Sequence, residues 1–224
     1  MNYTIHFGQI LPSVPYLLGG AVESFLLAGL AFIGGMAIGG LGAATLTWGA
    51  RAPRLLVGAY VTFFTNTPAL VQVYFIYFVL PDWGITLSSF NAVLLGLTIN
   101  AGAYLTEVQR AGFLSVRRAE IEAAETIGMS RMQMAWYVVL PHVIRTLYPP
   151  LSGQFILITL GSSMGALFGV EELTGRAFNL NAETFRAIEI FIVVGVLYVV
   201  VTILASALLA LFGRVFFRVR VDVF

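Results

Sequence analysis

Five long apolar runs, roughly 16–47, 55–80, 91–113, 138–168 and 185–212, alternate along the chain with short polar connections. A bilayer core requires about 20 apolar residues of a helix. The pattern therefore predicts an all-α integral membrane protein with about five transmembrane helices, forming a single domain over residues 1–224. The first run is longer than an upright span requires and has to tilt or project. Pro149 and Pro150 interrupt the fourth run, which sets the start of its membrane-crossing part near Leu151 and leaves the preceding residues packed at the interface. Ala31, Gly35, Gly39 and Ala43 recur at steps of four in the first run. They put small residues on one helix face, predicted to pack closely against another helix.

One segment breaks the apolar pattern. Arg117, Arg118, Glu120, Glu122 and Glu125 crowd together between the third and fourth runs. Ala119, Ala123 and Ile127 recur at i, i+4, i+8, predicting a short helix with a small apolar face and an acidic flank. Gly128 follows as a terminator free to take positive φ. A restart signal comes next: Ser130 as N-cap, Gln133 at N3 to close a capping box, and Met129 with Met134 as a hydrophobic staple. The segment over roughly 117–136 is thus predicted to be helix, sharp turn, helix. A small apolar face turned to water indicates a docking element rather than a plain loop.

Charge sets the orientation. Arg51 and Arg54 follow the first run, Arg110, Arg117, Arg118 and Arg131 the third, and Arg214, Arg218 and Arg220 the fifth. The other connections hold Asp82, then Glu171, Glu172, Arg176 and Glu183. Arginine-rich connections are cytoplasmic by the positive-inside rule, so the N-terminus is expected outside and the C-terminus inside. With 59% hydrophobic residues, 10% charged and a mean hydropathy of +0.92, the composition excludes an ordinary soluble domain. A net charge of +1 gives no reason to propose nucleic acid as a partner. The absence of cysteine removes disulfides, thiolate nucleophiles and sulfur metal sites. Every basic residue is arginine, so the phosphate-binding lysine of GxxxxGK[ST] does not occur in this sequence, and any ATP chemistry would have to be borrowed. No Arg precedes Arg51, so a charged signal-peptide n-region is not expected and the first run is retained.

The stretch EAAETIGMSRMQMAWYVVLP, from Glu122 to Pro141, resembles the EAA motif of ABC importer permeases. TPALVQVYFIYFVLP from Thr67, NAGAYLTEVQRAGFLSV from Asn100 and FGVEELTGRA from Phe168 are similar to the polar amino-acid subfamily, the histidine, glutamine and glutamate/aspartate permeases. The resemblance covers nearly the whole chain. It implies a type I permease subunit of the bacterial inner membrane, paired with a second permease subunit and two cytoplasmic ATPases that hold ATP and Mg. It further implies a periplasmic solute-binding protein that delivers the substrate, expected to be an amino acid or close derivative. The resemblance also implies that Glu122, Ala123, Ala124, Gly128, Ser130 and Arg131 form the surface entering the ATPase cleft. Pro68 and Gln72, in the second quoted stretch, are assigned structural or gate roles.

Zwitterions need hydrogen-bonding groups at membrane depth, where such groups are otherwise costly. Candidates by residue type are Glu23 and Ser24 in the first run, Asn100 in the third, and Thr159, Ser162 and Ser163 in the fourth. A span hydroxyl can instead bond its own helix backbone, whereas the Asn100 amide needs partners in lipid. The resemblance raises Ser24, Asn100 and the Ser162/Ser163 region toward the binding site. Leu160 and Gly161 stand where many relatives have a lysine followed by an acid or amide, and Thr62 and Thr65 stand where many have a Glu and an Arg. The loss at Leu160 and Gly161 points to a heterodimer whose other subunit carries the polar contacts. Glu107 with Arg110, and Arg186 with Glu189, are spaced i, i+3 as ion pairs, and a gate role is open for the first. His142 and His6 lie far apart in sequence, so a metal site is not expected. The same machinery could carry an opine or an osmolyte-like zwitterion. An autonomous secondary transporter would show an inverted repeat or broken helix pairs, and no repeat is evident. No convergent acid, base or nucleophile points to an intramembrane enzyme.

Overall fold

The computed structural model describes residues 4–217, so Arg218, Arg220 and both chain ends lie outside the described residues. These residues are almost wholly helical and contain no strand. The helices are α1 (Val14–Trp48), α2 (Arg51–Thr65), α3 (Ala69–Phe78), α4 (Ser89–Leu114), α5 (Arg118–Thr126), α6 (Arg131–Met134), α7 (Leu140–Gly161), α8 (Leu173–Thr184) and α9 (Ala187–Phe212). A π turn, Ala135–Val139, joins α6 to α7, and a 3-10 segment, Ser162–Phe168, follows α7.

Three helical stretches among the described residues are long and apolar enough to cross a bilayer: Phe7–Trp48, Arg131–Phe168 and Ala187–Phe217. The other two expected spans take a different form. The run over 55–80 is broken into α2 and α3 at Asn66–Pro68. Thr67 precedes a proline and is disfavoured in the α region, and Pro68 itself adopts extended ψ 133° as the N-cap of α3. Asn66 Nδ2 donates to the Thr62 carbonyl at 2.8 Å, and Gln72 Nε2 donates to the Thr67 hydroxyl and carbonyl at 2.8 and 3.0 Å. The run over 91–113 lies within α4, whose 26 residues extend about 39 Å but include Asn91, Asn100, Glu107, Gln109 and Arg110.

The interruption expected at Pro149 and Pro150 does not occur, because α7 runs through both prolines. Membrane helices tolerate proline where neighbouring groups re-satisfy the freed backbone. The surrounding residues are also pinned by side chains. Tyr148 donates its hydroxyl to the Leu209 carbonyl at 2.6 Å, Ser152 donates to the Tyr148 carbonyl at 2.9 Å, and Gly112 leaves just enough room for Leu147.

The chain gathers into two compact units. One takes the chain up to Ile33, Thr67–Thr98 and Phe155–Ala205; the other takes Gly34–Asn66, Ile99–Gln154 and the chain from Ser206 on. Neither unit is contiguous in sequence. In the first, Ile10, Leu17 and Ala21 pack with Leu173, Ala177 and Leu180 of α8 and with Ile190 and Val194 of α9. The approach of α1 to α8 depends on Gly20, where a Cβ would stand 2.8 Å from the Leu173 Cα. In the second unit the small-residue face of α1 meets α4. A Cβ at Gly35 would lie 2.9 Å from that of Ala101, and one at Gly39 would lie 2.8 Å from Leu105 backbone. This close packing matches the reading of the four-residue repeat, and Ala31 and Ala43 on the same face are fully buried.

Candidate functional site

The polar segment of the second unit folds as helix, turn, helix. After α5, Gly128 takes φ +80°. Its N–H donates to the Glu125 carbonyl at 2.9 Å, and the Met129 N–H donates to the Ala124 carbonyl at 3.1 Å. This pair of bonds is a Schellman motif, which a left-handed glycine permits. The capping box then starts α6: the Ser130 hydroxyl accepts from the Gln133 N–H at 3.3 Å, and Gln133 Oε1 accepts from the Ser130 N–H at 2.8 Å.

The element presents one face and buries another. Ala119, Ala123, Gly128, Ser130 and Arg131 are exposed, as are Ile127, Met132 and Trp136. Ala124 and Met134 are buried, so Ala124 belongs to the inner face and not to the presented one. Glu122 accepts from Arg118 Nε at 2.8 Å, with both side chains largely in solvent, a pair of small energetic weight. His142 Nδ1 stands 3.6 Å from Glu120 Oε2 and so joins α7 to α5.

The candidate pathway residues divide between the two units. In the first, Ser24 is buried and committed: its hydroxyl lies 3.2 Å from the Gly20 carbonyl and 3.1 Å from Glu172 Oε2. Thr159 donates to the Phe155 carbonyl and Ser162 to the Thr159 carbonyl, both hydroxyls buried on their own helix. Ser163 and Gly161 are half-buried, Glu23 is half-buried, and Leu160 is exposed. Pro68 and Gln72 serve the break between α2 and α3. In the second unit the Asn100 amide donates to the Phe64 carbonyl at 3.2 Å. Glu107 and Arg110 stand 4.0 Å apart on partly exposed side chains.

Glu172, which the charge pattern assigns to an outer connection, is completely buried by the fold. Its carboxylate N-caps α8, accepting from the Thr174 N–H at 3.0 Å and the Gly175 N–H at 2.9 Å, and it also accepts the Tyr198 hydroxyl of α9 at 3.0 Å. Counting Ser24, one side chain links α1, α8 and α9. Burial pushes the Glu172 carboxyl above the usual carboxylate range, and the hydrogen bonds from Thr174, Gly175, Tyr198 and Ser24 pull it back. The sequence signal for this role is weak: an N-cap favours Ser, Thr, Asp or Asn, and Glu172 stands directly after a second acid, Glu171, with nothing local to single it out. Glu189 is likewise fully buried, accepting from Arg186 Nη1 at 2.9 Å and from the His6 backbone N–H at 3.0 Å. Among the described residues no three acidic or histidine side chains gather around a potential metal position.

Comparison with known proteins gives a consistent set of matches. The family described as "Binding-protein-dependent transport system inner membrane component" matches residues 35–218. The glutamine transport system permease protein GlnP of Escherichia coli (strain K12) is 34% identical over 205 residues, covering 91% of this chain and 94% of that protein. The octopine transport system permease protein OccM of Rhizobium radiobacter is 33% identical over 161 residues, covering 68% of this chain and 66% of that protein. Among solved structures, an amino acid ABC transporter crystallised with histidines superposes with a TM-score of 0.87 at 30% identity, over 95% of this chain and 99% of that one.

Replacing the Glu172 carboxylate by an amide tests the buried junction. Each carboxylate oxygen accepts a backbone N–H, so either placement of the Gln NH2 confronts a fixed donor. Glu172→Gln is expected to destabilise the protein by about 1–3 kcal/mol, and Tyr198→Phe by about 1 kcal/mol. Thermal unfolding in detergent measures both, and an unchanged midpoint in Glu172→Gln would contradict the arrangement.

Proposed function

The chain belongs to the family of binding-protein-dependent transport system inner membrane components, and on that premise we propose that it is the permease subunit of an ATP-driven importer for an amino acid or close derivative. The observation that carries the mechanism is the helix–turn–helix of α5 and α6, with Ile127, Met132 and Trp136 turned outward from a turn fixed on both sides of Gly128. An apolar surface held on so short and well-capped an element suits insertion into a cleft of another protein. The sequence has no lysine with which to build a nucleotide-binding loop of its own. The partner in that cleft is therefore an ATPase holding ATP and Mg, with two such subunits serving two permease chains. A solute-binding protein supplies substrate on the opposite side. The names of the glutamine and octopine relatives support an amino acid first and an opine second.

In this reading the whole chain is one permease domain of the inner membrane with five spans, one of them α2 and α3 together. The arginine-rich connections are cytoplasmic, with the N-terminus outside and the C-terminus inside. The candidates of this chain for the substrate path are Asn100 in the second unit and, in the first, Ser24 and the segment around Leu160, Gly161, Ser162 and Ser163. Ser24 acts through Glu172, and Glu107 with Arg110 forms a plain surface ion pair. The hydroxyls of Thr159 and Ser162 already bond their own backbone. That supports a path in which this subunit offers mostly apolar surface and a second, different permease supplies most polar contacts.

Gly128→Val forces a β-branched side chain into the left-handed region at a cost of about 1–3 kcal/mol, and Glu122→Lys reverses a charge on the presented face. Reconstituted complexes carrying either change are expected to lose substrate-stimulated ATP hydrolysis while the membrane helices still fold and the complex still assembles. Normal transport by both variants would sink the docking assignment.

Topology is checked with reporters at the two ends, which lie outside the described residues. A tag ahead of Tyr3 should react with an impermeant reagent from outside, and a reporter after Phe224 should be active in the cytoplasm. Periplasmic activity at the C-terminus would mean an even number of spans.

The heterodimer is tested by co-expressing this chain with its ATPase and solute-binding protein, with and without a second permease. Uptake is expected only when the second permease is present. Robust uptake by the smaller set would establish a homodimer instead.

A further inference from the structure

Two grooves of the second unit meet at Arg145. The polar one, about 570 Å³, is lined by Glu120, Tyr137, His142, Arg145 and Thr146 among others. The apolar one, about 390 Å³, is lined by Leu140, Ile144, Phe216 and Phe217, with Pro141 and Arg145 shared between the two. The combination has a definite chemistry: a guanidinium shared by both grooves, a carboxylate and the hydroxyls of Tyr137 and Thr146 in one, and the apolar side chains of Leu140, Ile144, Phe216 and Phe217 along the other, both open to the surface. Among the described residues Arg145 has no ion pair, whereas Glu120 has only the long 3.6 Å contact with His142.

We propose that this paired groove binds one zwitterionic aminophospholipid, with its phosphate on Arg145, its ammonium toward Glu120 and an acyl chain along Leu140, Ile144 and Phe216. Charge complementarity selects this occupant. A phosphate diester matches an unpaired guanidinium, and a primary ammonium can donate to a carboxylate. A phosphatidylglycerol headgroup brings only negative charge toward Glu120. A choline headgroup has no N–H to donate. The inference rests on the membrane reading of the chain but on neither the substrate nor the docking assignment. Its test counts lipid and not transport, so the two can fail separately.

The experiment uses the assembled transporter purified in mild detergent, exchanged into equal mixtures of phosphatidylethanolamine, phosphatidylglycerol and phosphatidylcholine, and analysed by native mass spectrometry with lipid extraction. Preferential retention of phosphatidylethanolamine is expected in the wild type. Arg145→Gln and Glu120→Gln should each weaken it about tenfold or more, the factor expected for loss of one charge-assisted hydrogen bond. Ile144→Trp, which fills the apolar groove and leaves both charges in place, should weaken all lipids alike. Unfolding temperature and complex assembly are measured for each variant, and Arg145→Lys should restore part of the retention if charge is what acts. Equal retention of the three lipids, no retained lipid because a protein subunit covers the groove, or unchanged retention in both charge variants would each overturn the proposal.

Discussion

Backbone groups that leave a helix in apolar surroundings must find another partner, and at three breaks among the described residues the partner can be named. Where α2 ends, Asn66 and Gln72 turn their amides back onto the Thr62 and Thr67 carbonyls. Where α8 begins, a carboxylate takes up two orphan N–H groups. Where α5 ends, glycine folds the chain so that the last carbonyls are reused. The family fold, a type I ABC permease, is all-helical for the same reason.

Some of this is legible in the sequence and some is not, for identifiable reasons. The repeat from Ala31 to Ala43 can be read because close helix packing leaves a simple mark, a small residue every four. The turn at Gly128 can be read because capping chemistry is local, its donors and acceptors lying within a few residues of one another. The two proline signals point the wrong way. The hydrophobicity around Pro68 suggests a continuous span, although this proline breaks the helix. Pro149 and Pro150 suggest a break, although Tyr148, Leu147 and Ser152 hold the helix together around them. Those contacts come from residues as distant as Leu209, and no local pattern carries them.

The same limit explains Glu172. The second of two adjacent acids, Glu171 and Glu172, reads as a loop charge because its partners, Ser24 and Tyr198, lie 148 and 26 residues away. Ser24, whose residue type alone suggests a polar contact at membrane depth, bonds that acid at 3.1 Å. A polar residue at membrane depth has two possible explanations, cargo or construction, and sequence alone weighs them by residue type. Geometry separates them by asking whether the hydrogen-bonding capacity is already spent.

The π turn at Ala135–Val139 stands between the helix–turn–helix of α5 and α6 and α7. A turn of this kind holds one residue more than its α-helical neighbours, and each residue along a helix advances its faces by about 100°. Phase, more than composition, is what this short stretch stores. One residue gained or lost between Met134 and Leu140 would swing Ile127 and Met132 roughly a quarter-turn about the α7 axis and aim them at a different neighbour, with every side chain unchanged.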